Sequence, residues 1–154
     1  MKKIIYTVLL IFWLLIIFAF SNQNGTISGG NSGGTIYSIL DIIYGILNIS
    51  KDNIYDVLSI IHNPIRECAH VFEYFVLAFL TFKTLENFNI KENKYIITIL
   101  FCFISASLDE IHQLFIVGRS FEYYDILMDT LGSLLMIIII KVIKDMKNNH
   151  IFFI

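Results

Sequence analysis

Four stretches of the chain are almost purely apolar and each is long enough to cross a membrane. They run from Ile4 to Phe20, from Pro64 to about Lys83, from Tyr95 to about Phe115 and from about Tyr124 to Val142. Each holds 17–21 residues, which as a helix spans a hydrocarbon layer of roughly 30 Å. The first carries no charge. The other three carry polar groups at one end. Lys2-Lys3, an apolar run and Ala19-Phe20-Ser21 also fit a secretory signal. The run is longer than the apolar region of such signals, so we read a retained anchor.

The connections differ. Residues 84–94 make a short turn, whereas residues 21–63 form a long loop opening with the flexible stretch Ser28-Gly29-Gly30-Asn31-Ser32-Gly33-Gly34. That stretch lacks the spacing and the Lys of a phosphate-binding loop. Beyond it, Ile36, Ile39, Leu40, Ile43, Ile46 and Leu47 recur at helical spacing, as do Ile54, Val57, Leu58 and Ile61. Two short amphipathic helices follow, lying on the membrane face or packing on the bundle as a lid. The expected fold is an all-α integral membrane protein: one domain over residues 1–154, with four transmembrane helices and short amphipathic helices in the first extracytoplasmic loop.

Composition supports a membrane. Of 154 residues, 56% are hydrophobic and 16% charged; soluble domains carry about 25% charged residues. Disorder, a disulfide scaffold and a basic nucleic-acid-binding domain are excluded, and the net charge of −2 gives a polyanion nothing to bind. With 31 Ile and 4 Ala, Ile-rich faces say "lipid" and little more. Cys68 and Cys102 read as small apolar residues at different depths. The placement of charge says more. If the N-terminus is cytoplasmic, eight cations (Lys2, Lys3, Lys83, Lys91, Lys94, Lys141, Lys144, Lys147) lie inside and three (Lys51, Arg66, Arg119) outside. That asymmetry predicts a multi-pass cell-membrane protein with both termini in the cytoplasm.

The polar groups within the spans gather on the side expected to face outward. Asn63-Pro64 reads as a helix N-cap and first position. Arg66, His70, Glu73 and Leu77 then share one stripe. The third segment ends with Asp109, Glu110, His112 and Gln113. Asp109, His112 and Gln113 share a face, with Glu110 turned by about 100° from Asp109. Val117-Gly118-Arg119-Ser120 makes a tight turn, and Asp125, Asp129 and Gly132 form a stripe on the fourth segment. An ionised group at a helix centre costs about 2.5–3.5 kcal/mol on insertion scales, so such groups on three helices are tolerable if they converge.

Four kinds of chemistry fit. His70-x-x-Glu73 and Asp109-x-x-His112, with Asp129, could hold a divalent metal ion. Without metal, His70 and His112 suit proton transfer, since imidazole titrates near pH ~6.5. Glu73, Asp109 and Asp129 would be their carboxylate partners. Arg66 and Arg119 would clamp a phosphate or carboxylate, with Glu110 and Gln113 adding hydrogen bonds. A third reading is recognition without turnover of a phospholipid head group or a lipid-linked cell-wall precursor. The fourth, a proton-coupled carrier, ranks last, because polar groups on one side give no path through.

At these residues the chain resembles the VanZ-like family of teicoplanin-resistance proteins of Gram-positive bacteria. The likeness rests on Phe18-Ala19-Phe20-Ser21-Asn22-Gln23, on Arg66-Glu67-Cys68-Ala69-His70-Val71-Phe72-Glu73-Tyr74, and on the string Asp109-Glu110-Ile111-His112-Gln113 through Gly118-Arg119-Ser120, followed by Asp125, Asp129 and Gly132. Glu67 stands where the family usually has Lys, and Val117 where it usually has Pro. The resemblance implies a polytopic cell-envelope protein linked to reduced susceptibility to teicoplanin and other lipid-bearing glycopeptides. It implies no settled reaction.

Overall fold

In a computed structural model the protein is a bundle of four long helices: α1 (Lys2–Ser21), α2 (Ile54–Asn87), α3 (Lys94–Gln113) and α4 (Tyr123–Asn148). The structure describes residues 1–22, 41–44, 46 and 54–148. Among these there is no strand, and four helical segments are long and apolar enough to span a membrane: Lys2–Ser21, Pro64–Asn87, Lys94–Gln113 and Tyr123–Asn148. The expected all-α membrane bundle is borne out. The Gly/Ser stretch, and most of the first amphipathic segment, lie outside the described residues; Asp41 to Tyr44 of that segment are helical.

The beginning of α2 corrects the sequence reading. Pro64 does not start the helix; it lies inside it, and the helix begins ten residues earlier at Ile54. The second amphipathic segment and the second span are therefore one continuous rod. A proline lacks the N–H that would bond the carbonyl four residues back. In spanning helices that loss is tolerated where the freed carbonyl finds other partners. The other ends are ordinary. Asn93 caps α3, its side-chain oxygen accepting from the N–H groups of Tyr95 (3.1 Å) and Ile96 (3.3 Å). The α3–α4 turn holds Gly118 at φ 77°, where a side chain would be strained.

Successive helices run antiparallel, so the bundle has two chemically different ends. One end carries Arg66, Gln113, Arg119 and Asp125. The other carries the α2–α3 turn and both described termini. There Lys144 bonds Glu86 (2.6 Å) and Lys3 lies 5.5 Å above the Phe88 ring. The core is narrow. Tyr74, Leu77 and Ala78 of α2 pack against Cys102 and Ala106 of α3, with Ile17 of α1 alongside. Phe82 packs against Ile137 and Ile140 of α4 nearer the other end. Outward faces such as Val8, Phe12, Ile104, Leu108, Ile138 and Val142 are exposed, as a lipid-facing surface must be.

Small residues set the spacing. A methyl group at Gly132 of α4 would collide with the Val71 carbonyl oxygen and lie 2.9–3.0 Å from the carbonyl carbon and Cα. That obstacle is backbone and cannot rotate away, so α2 and α4 touch main chain to main chain. In lipid, where helix association rests on close packing more than on the hydrophobic effect, small residues do this work. α1 is held differently. It presents Leu10, Trp13, Leu14 and Ile17 to the core, and the Trp13 indole N–H donates to the Glu73 backbone carbonyl at 2.9 Å.

Candidate functional site

The close approach at Gly132 places the polar stripes of α2 and α4 face to face. Arg66, one turn before His70, donates to Asp125 and lies 3.4 Å from Glu122. His70 bridges the two acids of α4. Its Nδ1 is 3.0 Å from Asp129 Oδ1 and its Nε2 is 3.5 Å from Asp125 Oδ2. Asp125 and Asp129 are 3% and 1% exposed. The order along the interface is therefore Arg66, Asp125, His70, Asp129: cation, acid, imidazole, acid. A neutral imidazole donates from one nitrogen only. With a carboxylate oxygen facing each nitrogen, the ring donates to both only when both nitrogens carry a proton.

α3 completes the polar end. Gln113 donates to the Asp109 carboxylate at 3.2 Å, and Arg119 donates to the Gln113 carbonyl oxygen at 3.4 Å. Glu110, expected to add hydrogen bonds to the site, is turned by about 100° from Asp109 yet faces inward. The buried stripe of α3 is Thr98, Cys102, Ala106, Glu110 and Gln113, so Glu110 faces the bundle and is 1% exposed. The i, i+4 row of small residues lets α3 approach closely, and Glu110 ends that row. Its Oε2 accepts from the Glu122 N–H at 2.8 Å, just before α4 begins, where a carboxylate also meets the positive end of the helix dipole. Glu110 thus fixes the start of the helix that carries Asp125 and Asp129. Its other oxygen is buried without a hydrogen-bond partner among the described residues.

Glu73 lies within electrostatic reach of His70, Asp109 and Asp129, and its carboxylate is half-buried. His112 does not join His70. It lies on the α1 side of α3, where its ring meets Phe18 at 4.9 Å between centroids, and its Nδ1 is buried without a hydrogen-bond partner among the described residues. Asp109 and His112 form the polar end of a cavity of about 330 Å³, lined otherwise by Leu14, Ile17, Phe18, Tyr74, Ser105 and Leu108. The two histidines thus occupy two neighbouring places. One is His70 between two aspartates on the α2–α4 seam. The other is His112 at the end of an apolar groove between α1 and α3. Among the described residues, no three His, Cys, Asp or Glu side chains are arranged to hold a metal ion.

Asp125 and Glu122 are the residues that the candidate set omitted. Asp125 was legible as the first member of the Asp125–Asp129 stripe. Glu122 sits in the turn, outside any helical period, and nothing in its spacing marks it. The two cysteines are free, Cys68 exposed and Cys102 buried, and the Tyr124 hydroxyl reaches Glu67 at 3.5 Å.

A family model described as VanZ/LLP1 matches residues 6–144. No curated protein and no solved structure matches the chain.

Proposed function

The chain belongs to the VanZ/LLP1 family, and we propose that it binds or acts on a lipid-linked molecule of the bacterial cell envelope. It does so through the His/Asp/Glu/Arg end of its bundle, turned outward. The observation that carries this reading is His70 held between Asp125 and Asp129 on the α2–α4 seam, with Arg66 on the outer acid. A structural ion pair alone needs no imidazole between two buried acids, and ionisable groups at membrane depth mark functional positions. The groove beside it supports a lipid-bearing occupant. Leu14, Ile17, Phe18 and Leu108 offer a chain an apolar bed, and Asp109 and His112 stand at its polar end. Among the described residues, His112 Nδ1 and Glu110 Oε1 each lack a hydrogen-bond partner, and buried polar atoms normally have one. A ligand head group could supply it.

In this reading His70 and His112 transfer protons or hold ligand atoms, with Glu73, Asp109 and Asp129 as their carboxylate partners. Arg66 and Arg119 attract the anionic part of the ligand, and Glu110 and Gln113 hold the frame. The biological outcome would be lowered susceptibility to teicoplanin and other lipid-bearing glycopeptides, as the family resemblance suggests. The alternative is a binding module without turnover. A susceptibility assay on cells expressing each variant at matched membrane levels separates the two. Turnover predicts that His70→Ala and His112→Ala abolish the effect. Binding alone predicts graded losses, greatest for Arg66→Ala or Arg119→Ala. Full retention by every variant would refute both.

A further inference from the structure

The opposite end of the bundle holds a second cavity, of about 440 Å³, at the α2–α3 turn. Its lining has a different chemistry from the His/Asp end. Lys91, Lys94 and Lys144 ring it, Phe82 and Tyr95 form an aromatic wall, and Asn93 stands at the rim. The two aromatic rings lie 5.1 Å apart, tilted by 39°, and the Lys144 ammonium lies 4.5 Å above Phe82 while bonding Glu86 at 2.6 Å. Glu86 also takes Lys83 at 2.9 Å, so this acid is already shared between two lysines. Among the described residues, Lys91 and Lys94 enter no ion pair. Glu92 is the one acid among the residues that line the cavity. Lysines therefore outnumber acids there, and two of them are uncommitted.

We propose that this cavity binds the phosphate of an anionic phospholipid head group. Phe82, Tyr95 and Lys144 lie within membrane-spanning helices while Lys91 and Asn93 lie in the turn between them. The cavity therefore sits at the end of the spans, where head groups begin. Basic pockets between spanning helices at that level select anionic head groups, and an aromatic wall gives the adjoining glycerol and upper chain an amphipathic surface. Lys91 and Lys94 would pair with the phosphate directly, and Lys144, fixed by Glu86, would supply charge without moving. The site is separate from the His/Asp end and does not depend on its function.

The test is native mass spectrometry of the full chain released from detergent. It is run with phosphatidylglycerol or phosphatidylcholine at equal molar ratio, and with inorganic phosphate alone. Phosphatidylglycerol should remain bound in clear excess over phosphatidylcholine, and Lys91→Gln with Lys94→Gln should lower that excess by more than half. Lys141→Gln with Lys147→Gln removes the same charge from the same end, outside the cavity, and should leave the excess intact. Circular dichroism establishes that each double variant keeps its helix content. Equal retention of the two lipids would overturn the proposal. So would equal loss in both double variants, which would mark diffuse attraction, or phosphate adducts displacing the lipid, which would mark a site for the free ion.

Discussion

His70 owes its position to two acids one helical turn apart, and Arg66 shares the outer one. Asp125 is buried against Arg66, so Asp125→Ala removes the acceptor and leaves the guanidinium with the more distant Glu122. Hydrogen bonds to charged groups contribute about 1.5–3 kcal/mol. The expected outcome is a loss in that range, seen as a lowered melting temperature in detergent, with the Arg66→Ala/Asp125→Ala double variant costing less than the sum of the singles. Strict additivity would mean that the pair is not coupled. This part of the site was partly legible beforehand. Arg66 and His70, and Asp125 and Asp129, stand at i, i+4, so matched stripes were visible on two helices. What spacing could not show was which stripe met which. Glu110 illustrates the limit. Its angular offset from Asp109 was read correctly, but the buried face of α3 is set by Thr98, Cys102 and Ala106. Small residues with weak hydropathy mark close helix packing only once the neighbours are known.

At the scale of the element, Gly132 decides the α2–α4 seam. Gly132→Ala puts a methyl against the Val71 main chain, and overpacking of this kind typically costs about 1–3 kcal/mol. The helices must part locally, which lengthens the His70–Asp129 bond at the adjoining positions. A lowered melting temperature is expected; a variant as stable as the parent would show that the helices have slack here. The helix bodies themselves were plain from hydropathy, because lipid demands unbroken apolar runs. Their ends were less so. The second span joins an amphipathic segment across Pro64, since a proline signals a first helical turn and an interior kink equally well. α4 also continues to Asn148, because beyond Val142 it leaves the apolar pattern that was used to bound it.

For the whole molecule, the antiparallel bundle gathers His/Asp chemistry at one end and lysines at the other. The excess of lysine at the second end predicts that it faces the cytoplasm. In a chain carrying Cys68→Ala and Cys102→Ala, a cysteine replacing Ser120 of the α3–α4 turn should react with a membrane-impermeant maleimide in intact cells. One replacing Glu92 of the α2–α3 turn should react only after permeabilisation. The reverse pattern would turn the His/Asp end toward the cytoplasm and end the envelope reading, though the bundle would stand.

The account depends most on ionisable side chains of separate helices meeting inside the bundle, and a cross-link tests that meeting directly. In the same cysteine-free chain, His70→Cys is paired with Asp129→Cys in native membranes, treated with a short bifunctional thiosulfonate, and cut at a protease site placed in the 88–93 turn. The two halves should then stay joined on a denaturing gel, whereas His70→Cys with Ile139→Cys, ten residues further along α4, or about 15 Å of helix rise, should leave them free. Halves that separate in the first pair, or join equally in both, would contradict a fixed His70–Asp129 seam.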